Sequence, residues 1–441
     1  DKADGAALET VGRCGVNQIT GEIDPNMDIE DSGATYAADA NYIIFRDIDL
    51  VGTAWEPLMF SGTMLGAKAA DAAAKGGLWG GIKEDGSGIT DVAAVANPVI
   101  SNVNVAQARE LSIAKQSGVG FFGTITSNHD DKDIFAKPTR ALVSNITLEG
   151  VSIDNRLTGV HIDQTLVSAL AGLLGGLVGG LVDLILGILG LDGPGALVEK
   201  LLTIRKNDPS SLATGAFVGR IVGDVEVSGC EVRNASVSSI QNMTGGFVGY
   251  VQGETQYGPI TGLAGDLVEL LAGLLNIVPG VGLGDVITLL LGSKNVIDIG
   301  SLVPVGYLNP ILSNCAVSDF ADGEVVGSED KDYAGGFAGV MIGAIAEGCS
   351  VTSARPYAVL GGMYAGGFAG LLRNEVMKGA LQEAGIELVR AGQPQSVALG
   401  CSVKANAEVS AASYAGGFTG AMANSYAVDD ALEGTIGVRA T

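Results

Sequence analysis

Short apolar segments separated by glycine-rich turns recur along most of the chain. The clearest marker is YAGGFAG at Tyr333–Gly339, which recurs unchanged at Tyr364–Gly370 and as YAGGFTG at Tyr414–Gly420. Looser copies begin at Thr214 and Thr244. The phenylalanines of the five copies are 30, 90, 31 and 50 residues apart. These spacings indicate a repeating unit of about 30 residues that insertions interrupt.

Each unit predicts several short strands. In GGFAGVMIGAIAEGCSVTSARPYAVLGGM, the pieces FAGVMI, CSVTS and YAVL have the length of strands, and the Gly and Ala-Glu-Gly pieces are typical of turns. A unit of this size cannot bury its own apolar face, so units must stack and share one core. We therefore predict an all-β parallel solenoid with three short strands per turn and helical insertions.

Side chains at fixed places in the units are predicted to form internal ladders. Glycine at the neighbouring positions permits tight corners and close approach of adjacent backbones. Four of the five cysteines fall in (G/N)CxV and none in CxxC, so we expect these four to be small buried hydrophobes, with a bridge between adjacent turns as the alternative. The predicted ladder residues are Phe217, Phe247, Phe337, Phe368, Phe418, Cys230, Cys315, Cys349 and Cys401.

Composition shifts divide the chain into segments. The predicted organisation is an N-terminal cap at 1–40, a first solenoid part at 41–158 with an Ala/Gly-rich insertion at 67–98, an apolar helical insertion at 159–210, solenoid turns at 211–255, a second apolar helical insertion at 256–310, and C-terminal turns at 311–441 with a short helical insertion at 371–392.

The two apolar insertions contain a second repeat. LVSALAGLL, from Leu166, and LVELLAGLL, from Leu267, agree at seven of nine positions. Leucines in the first insertion recur at spacings of three and four, which predicts a helix. Pro194 and Pro279, each followed by Gly, are expected to turn helical hairpins. The third insertion, Leu371–Gly392, is predicted to be an amphipathic helix that covers the core.

Three roles remain open for the apolar hairpins: packing on each other or on the solenoid flank, a surface for a partner or for self-assembly, and contact with lipid. The 26 residues from Leu166 are long enough to cross a bilayer. Asp183 within them, and solenoid turns on both sides, predict no transmembrane span. The candidate partner surface comprises Leu170, Leu173, Leu177, Leu181, Leu271 and Leu274.

The acidic net charge restricts the classes of partner that the chain is expected to bind. The net charge is −24 and the sequence pI is about 4.3, so the chain repels nucleic acid and anionic membrane. An apolar content of 47% excludes a disordered chain. The first residues, DKADG, lack the basic start of a secretory signal, so we expect a mature N-terminus or a piece of a longer protein.

Candidate chemistry is sparse. The glycine heptads lack the GxxxxGK[ST] pattern, and the sequence holds two histidines, His129 and His161, so neither a phosphate loop nor an HExxH zinc site is predicted. Acidic loops, which are candidates for calcium or for a carbohydrate-cleaving carboxylate pair, contain Asp130, Asp131 and Asp133 and, around Lys331, Glu329, Asp330 and Asp332. We predict no catalytic residue and no cofactor.

The order of the short motifs resembles that of GLUG-motif proteins, which are bacterial surface and adhesin-like repeat proteins. The resemblance rests on Tyr42 with DIDL, Trp55 with Pro57, then FSGTMLG, ISNVNV, GFFG, and the paired GGF(A/V)G and (G/N)CxV motifs. It covers about residues 40–155 and 211–425 and leaves the insertions unexplained.

This resemblance implies a right-handed parallel β-helix on a bacterial surface, as part of a longer anchored protein. The expected function is non-enzymatic and adhesin-like: loops and helical insertions are held in place for a surface glycan or protein. Two alternatives stay open, a carbohydrate-active β-helix enzyme and a surface protein that self-assembles through its apolar hairpins.

Overall fold

The computed structural model describes twelve stretches of the chain, and every structural statement below concerns them. They are residues 38–44, 47–66, 97–105, 110–113, 116–128, 137–176, 183, 186–187, 190–257, 304–327, 333–374 and 395–440.

Parallel sheets dominate the described residues. Sheet 1 has eight strands, in spatial order Asn41–Ile44, Thr63–Gly66, Ala141–Ser144, Val225–Ser228, Ile311–Ser313, Ile345–Glu347, Val397–Leu399 and Tyr426–Val428. Sheet 2 has fourteen strands, Ile48–Asp49, Ala54–Trp55, Val99–Ser101, Asn104–Val105, Thr147–Glu149, Ser152–Asn155, Glu231–Ser239, Ala316–Val326, Ser350–Thr352, Tyr357–Gly361, Ser402–Lys404, Ala407–Ala411, Ala431–Glu433 and Ile436–Ala440.

Two further parallel sheets contain the glycine motifs. Sheet 3 has seven strands, in spatial order Leu58–Phe60, Phe122–Thr126, Val218–Val222, Val248–Gln252, Ala338–Ile342, Ala369–Arg373 and Thr419–Ala423. Sheet 4 has five strands, Thr214–Gly215, Met243–Gly245, Tyr333–Gly335, Tyr364–Gly366 and Tyr414–Gly416. Two strand pairs complete the set, Glu110–Ser112 with Gly159–His161 in parallel and Glu254–Tyr257 with Pro304–Leu308 in antiparallel orientation.

Successive units visit the sheets in the same order. The unit that begins at Tyr333 passes through sheet 4, sheet 3, sheet 1 and then twice through sheet 2, so it has five short strands. The prediction of three strands per turn was therefore wrong. Ile345–Glu347, which the sequence presents as a turn, is a strand of sheet 1 because its register partners on both sides supply backbone hydrogen bonds.

The corner between sheets 1 and 2 explains one recurring polar position. In six consecutive units its first residue has a positive φ, and every occupant is Asn, Asp or Gly: Asn145, Gly229, Asn314, Gly348, Gly400 and Asp429. These are the residue types that adopt left-handed backbone at least cost. The second residue of each corner turns inward, and in four units this residue is one of the predicted ladder cysteines.

Two helices form the described part of the first insertion. Helix α1 spans Gln164–Gly176 and begins where the Asp163 carboxylate accepts the backbone N–H of Thr165 at 2.8 Å. Helix α2 spans Pro194–Asn207, with proline in its first turn. A short 3-10 helix, Pro209–Leu212, follows. The two α-helices contact each other, and their apolar residues join the core of the β-sheets.

The predicted boundaries need three corrections. The first insertion starts after His161, because Gly159–His161 still pairs as a strand. The second begins and ends in the antiparallel strands Glu254–Tyr257 and Pro304–Leu308, and its predicted helix lies outside the described residues. The third cannot begin as a helix at Leu371, because the sheet 3 strand runs on to Arg373. Residues 1–37 and 67–96, predicted as cap and insertion, also lie outside them.

Candidate functional site

The phenylalanines of the glycine motifs form one continuous stack. Ring centroids are 4.7 Å apart for Phe217 and Phe247, 4.9 Å for Phe247 and Phe337, 4.8 Å for Phe337 and Phe368, and 4.9 Å for Phe368 and Phe418. All four interplanar angles are 6° or less. These distances match the spacing of about 4.8 Å between hydrogen-bonded strands, so each ring lies over the ring of the neighbouring unit.

The four ladder cysteines are buried and free. Each thiol reaches a backbone carbonyl of the preceding unit, with Sγ of Cys315 lying 3.4 Å from the oxygen of Val227 and Sγ of Cys349 lying 3.3 Å from that of Leu312. Burial raises the pKa of the Cys315 and Cys349 thiols. These thiols therefore act as packing groups rather than as nucleophiles.

The glycines of the heptad are required by backbone proximity. A Cβ on Gly335 would collide with the carbonyl oxygen of Ala338, and one on Gly336 would collide with the carbonyl oxygen of Gly367 in the next unit. The heptad is thus part of the framework, and a functional surface must be sought where the chain leaves that framework.

The chain leaves the framework repeatedly at one edge, where sheet 3 strands lead into sheet 1 strands; we call this the insertion edge. Across seven consecutive units the connection alternates between two residues and a long link. The short connections are 61–62, 223–224, 343–344 and 424–425, and the long links are 127–140, 253–310 and 374–396.

The alternation sets the spacing of the long links. Adjacent strands of a sheet lie about 4.8 Å apart, so long links on every second unit leave the β-sheets about 9.6 Å apart. The insertion edge therefore holds the ends of three long links at a regular spacing.

We call the residues at which a long link leaves the β-sheets its root. The roots of the first two long links flank a short connection. Gly223 has φ +88° and lies between Ser127, at the start of the first long link, and Glu254, in the second. A Cβ at Gly223 would collide with Oγ of Ser127 and approach Oε2 of Glu254 to 2.7 Å. Ser127 Oγ donates to that same carboxylate oxygen at 3.2 Å. The two roots are therefore joined directly across the intervening unit.

A charged cluster closes the first long link. Arg140 Nε donates to Oδ1 of Asp224 at 2.6 Å and its NH1 to Oε2 of Glu226 at 3.0 Å, while Lys137 Nζ lies 3.8 Å from Asp224. An antiparallel bridge between Asn128 and Thr139 also ties the ends of this link. Both carboxylates are occupied by one guanidinium, so this cluster anchors the link to the next unit.

The second and third roots are tied in the same way. The antiparallel pair Glu254–Tyr257 and Pro304–Leu308 forms the base of the second link. Nδ2 of Asn309 then donates to the carbonyl oxygen of Gly343 at 2.6 Å. At the third link, the buried hydroxyl of Ser396 lies 2.6 Å from the carbonyl oxygen of Arg373 and 3.0 Å from that of Met341. All three roots thus have defined geometry.

A separate ionic cluster fastens the helical insertion to the outer face of sheet 3. Asp208, which follows α2, places Oδ2 3.1 Å from NH2 of Arg220 and 3.9 Å from NH1 of Arg205. The Arg205 side chain is 1% exposed and also donates to the carbonyl oxygen of Gln116 at 3.0 Å. The helices are therefore held at a fixed place on the sheets.

Electrostatics favour the ionised form of this cluster. Burial alone would raise the pKa of the Asp208 carboxyl, but the guanidinium of Arg220, the hydrogen bonds from Ser210 and the guanidinium of Arg205 outweigh it, so the pKa lies below its ordinary value. Sequence reasoning missed this cluster, because Asp208 and Arg220 belong to segments that the sequence analysis assigned to different elements.

The predicted partner surface is not assembled in the described structure. Leu170 is 1% exposed and belongs to the hydrophobic core, so its assignment to a partner surface was wrong; α2 packs against α1. Leu173 is 49% exposed. The other proposed members, Leu177, Leu181, Leu271 and Leu274, lie outside the described residues.

The predicted chemical candidates contribute little to the described structure. His161 is exposed at the end of a strand, whereas His129 and the acidic loops at 130–133 and 329–332 lie outside the described residues. Within the described ranges, no three His, Cys, Asp or Glu side chains are grouped to hold a metal ion. Among the described helices, none is both long and apolar enough to cross a lipid bilayer.

Comparison with known proteins adds no relative. The chain matches no family model, no curated protein and no solved structure.

Proposed function

We propose that the chain is a non-enzymatic, adhesin-like module of a bacterial cell surface, in which a right-handed parallel β-helix presents inserted segments to a glycan or protein ligand. The parallel register shared by the four sheets supports the β-helix. A right-handed path is expected because parallel crossover connections have that hand in about 98% of cases.

The insertion edge is the observation that carries this proposal. Links 127–140, 253–310 and 374–396 leave the same edge on alternate units and are tied at their roots. A ligand that contacts segments rooted about 9.6 Å apart gains from simultaneous engagement. Because the stacked units fix this spacing, the roots are already held in position before a ligand binds.

The cell-surface part of the proposal draws on the sequence. The GLUG-like order of motifs implies a bacterial surface protein, and the net charge of −24 suits exposure to solvent. The Arg205–Asp208–Arg220 cluster supports the same mechanism for the helical insertion, since it holds α1 and α2 in one position on the sheets.

An array of glycans and host proteins probed with the purified chain tests the proposal. In three variants, one long link each is replaced by Gly-Asp, the connection that Gly223 and Asp224 form in a neighbouring unit. We expect the chain to bind members of the array, and shortening of at least one link to lower the affinity by about tenfold or more.

Val51→Ser is the matched control, because Val51 is 61% exposed and lies between two sheet 2 strands, away from the insertion edge. It should bind as the wild type does. Unchanged binding by each of the three variants, with unchanged urea unfolding, contradicts presentation by the insertion edge.

A further inference from the structure

The strands of sheet 3 carry apolar side chains on both faces. In Ala338–Ile342, Met341 points into the interior core, whereas Val340 and Ile342 on either side of it point outward. The two outward side chains are nevertheless only 2% and 3% exposed. Ser350, an outward residue of sheet 2 in the same unit, is partly exposed. The outer face of sheet 3 is therefore covered, as is usual for parallel strands that are apolar throughout.

The outward side chains form a hydrophobic cluster of their own, which we call the outer cluster. It comprises Ala213, Met243, Tyr250, Val340, Ile342 and Leu371, with Tyr333 and Ala421 packed against them. Apart from Ala213, its described members lie on strands of sheets 3 and 4, and the buried apolar residues of α1 and α2 belong to the interior core instead. The described residues therefore form one wall of the outer cluster.

The outer cluster continues a column that is already covered at its start. Tyr250, Val340 and Leu371 are register partners on successive strands of sheet 3, and Arg220 precedes them in the same column. The Arg220 guanidinium pairs with Asp208, which follows α2. The first insertion thus lies over this column at Arg220, and the next units of the column need a second covering segment.

Both ends of the second long link lie beside the outer cluster. The backbone N–H of Gly253 donates to the carbonyl oxygen of Ile342 at 2.8 Å. At the other end, Nδ2 of Asn309 donates to the carbonyl oxygen of Gly343 at 2.6 Å. Residues 258–303 are therefore tethered on both sides next to the cluster.

We infer that the apolar repeat Leu267–Leu275 of the second insertion docks on the outer cluster. This repeat, LVELLAGLL, matches LVSALAGLL of the first insertion and holds a single charge, Glu269. The third link leaves the neighbouring strand of sheet 3, but its residues 375–394 hold five charged side chains and suit a solvated position better. Docking of the repeat needs no ligand, so its test is independent of the proposed function.

The match between the two repeats also assigns the side that faces the sheet. In the first insertion Leu170 is 1% exposed, whereas Ser168 is exposed. The corresponding residues of the second repeat are Leu271 and Glu269. Leu271 is therefore placed against the outer cluster, and the Glu269 carboxylate is placed in solvent.

Thiol labelling of the full chain tests this docking. Leu271→Cys and Glu269→Cys are made singly in a Cys14→Ser background, in which the four remaining cysteines are buried. We expect Leu271→Cys to react with a maleimide at least about tenfold more slowly than Glu269→Cys, because its labelling requires local opening. Addition of Val340→Asp should make Leu271→Cys react quickly, whereas the matched control Ser350→Asp, on the outer face of sheet 2 in the same unit, should not.

Shortening of the links identifies the covering segment by a second readout. Replacement of 253–310 by Gly-Asp should uncover the outer cluster and increase the fluorescence of anilinonaphthalene sulfonate, a dye that binds exposed apolar surface. The same replacement of 374–396 should leave the fluorescence unchanged. If Val340→Asp does not fold, Val340→Ala replaces it and should increase the labelling rate of Leu271→Cys by a smaller factor.

Equal labelling rates for Leu271→Cys and Glu269→Cys overturn the inference. Protection of Leu271→Cys that persists in both Val340 variants overturns it as well, because the thiol is then buried elsewhere. An increase in dye fluorescence on shortening of 374–396 assigns the cover to the third link instead. Labelling of Leu271→Cys that slows as the protein concentration increases assigns it to a second copy of the chain.

Discussion

The backbone N–H of Cys401 donates a hydrogen bond to Oδ1 of Asp430 at 2.6 Å. Ser402 pairs with Ala431, so Asp430 occupies in the last unit the column that cysteines fill in the preceding units. Its second oxygen is buried without a hydrogen-bond partner among the described residues. Burial and the nearby charge of Asp429 raise the pKa of Asp430, and they outweigh the hydrogen bond from Cys401, which lowers it. A thiol column thus ends in a carboxyl.

Asp430 should destabilise the chain at neutral pH. The folded-state pKa of Asp430 lies above the ordinary 3.8, so the protonated carboxyl is the form that favours folding. Its stabilising contribution is complete below pH 3.8 and is lost as pH rises through the folded-state pKa. Asp430→Asn should therefore unfold at a higher temperature than the wild type at pH 7, by about 1–2 °C, with the difference vanishing in acid. Asp429→Asn removes the same charge from an exposed corner that Asn tolerates, so an equal pH-dependent gain there would contradict this assignment.

The loss of stability on removal of a stacked phenylalanine should depend on its position in the stack. Phe337 is fully buried between two rings, so Phe337→Ala should lower the free energy of unfolding by about 3–5 kcal/mol. Phe418 is half-buried at the end of the stack and touches one ring, so Phe418→Ala should cost clearly less. Urea unfolding followed by circular dichroism measures both. Equal losses would show that stacking within the interior is not what stabilises the units.

Substitution of glycine by alanine should have opposite effects on stability in a heptad and in helix α1. Gly336→Ala places a methyl group against the carbonyl oxygen of Gly367, so we expect the midpoint of urea unfolding to fall sharply or the chain not to fold. Gly172 in α1 has open space around its Cβ position, so Gly172→Ala should stabilise the chain by up to about 1 kcal/mol through helix propensity. Tolerance of alanine at both sites would refute the close backbone approach.

Removal of the Asp208 carboxylate should destabilise the chain, by an amount that decreases in acid. Asp208→Asn leaves the buried Arg205 and the nearly buried Arg220 without their carboxylate and should cost about 3 kcal/mol at pH 7. Since the pKa of Asp208 lies below 3.8, its stabilisation is present above that value and is lost as pH falls through the folded-state pKa. The difference between wild type and variant should therefore narrow in acid.

Asp154→Asn is the control for this loss. Asp154 pairs with Arg156 at 2.7 Å, but the two side chains are 62% and 58% exposed. Removal of this exposed pair should change stability by less than about 1 kcal/mol. If both variants lose the same stability in thermal unfolding, the buried cluster does not fasten the helices.

Local patterns in the sequence are enough to predict much of the β framework. The heptads, the CxV strands and the ladder positions recur in the same order, about 30 residues apart where no insertion intervenes, and parallel stacking aligns them in columns. Ile345–Glu347 was missed because Ala and Glu are weak strand formers, and backbone pairing with both neighbours overrides that preference. Leu170 was misassigned because helical spacing shows which residues share a face but not what covers that face.

The candidate site was less predictable. The length of each link is visible in the sequence, but the alternation of long and short connections along one edge emerges once the strands are assigned to their sheets.

By itself, the sequence determined the repeating strands, the glycines at their corners and the side chains of the core, since these follow from local periodicity and from backbone sterics. Tertiary structure alone decided which connections share an edge and that the Asp208 carboxylate lies between the guanidinium groups of Arg205 and Arg220. The physical reason is that these relationships join residues of different helices, loops and strands, and the packing of those elements decides which residues meet.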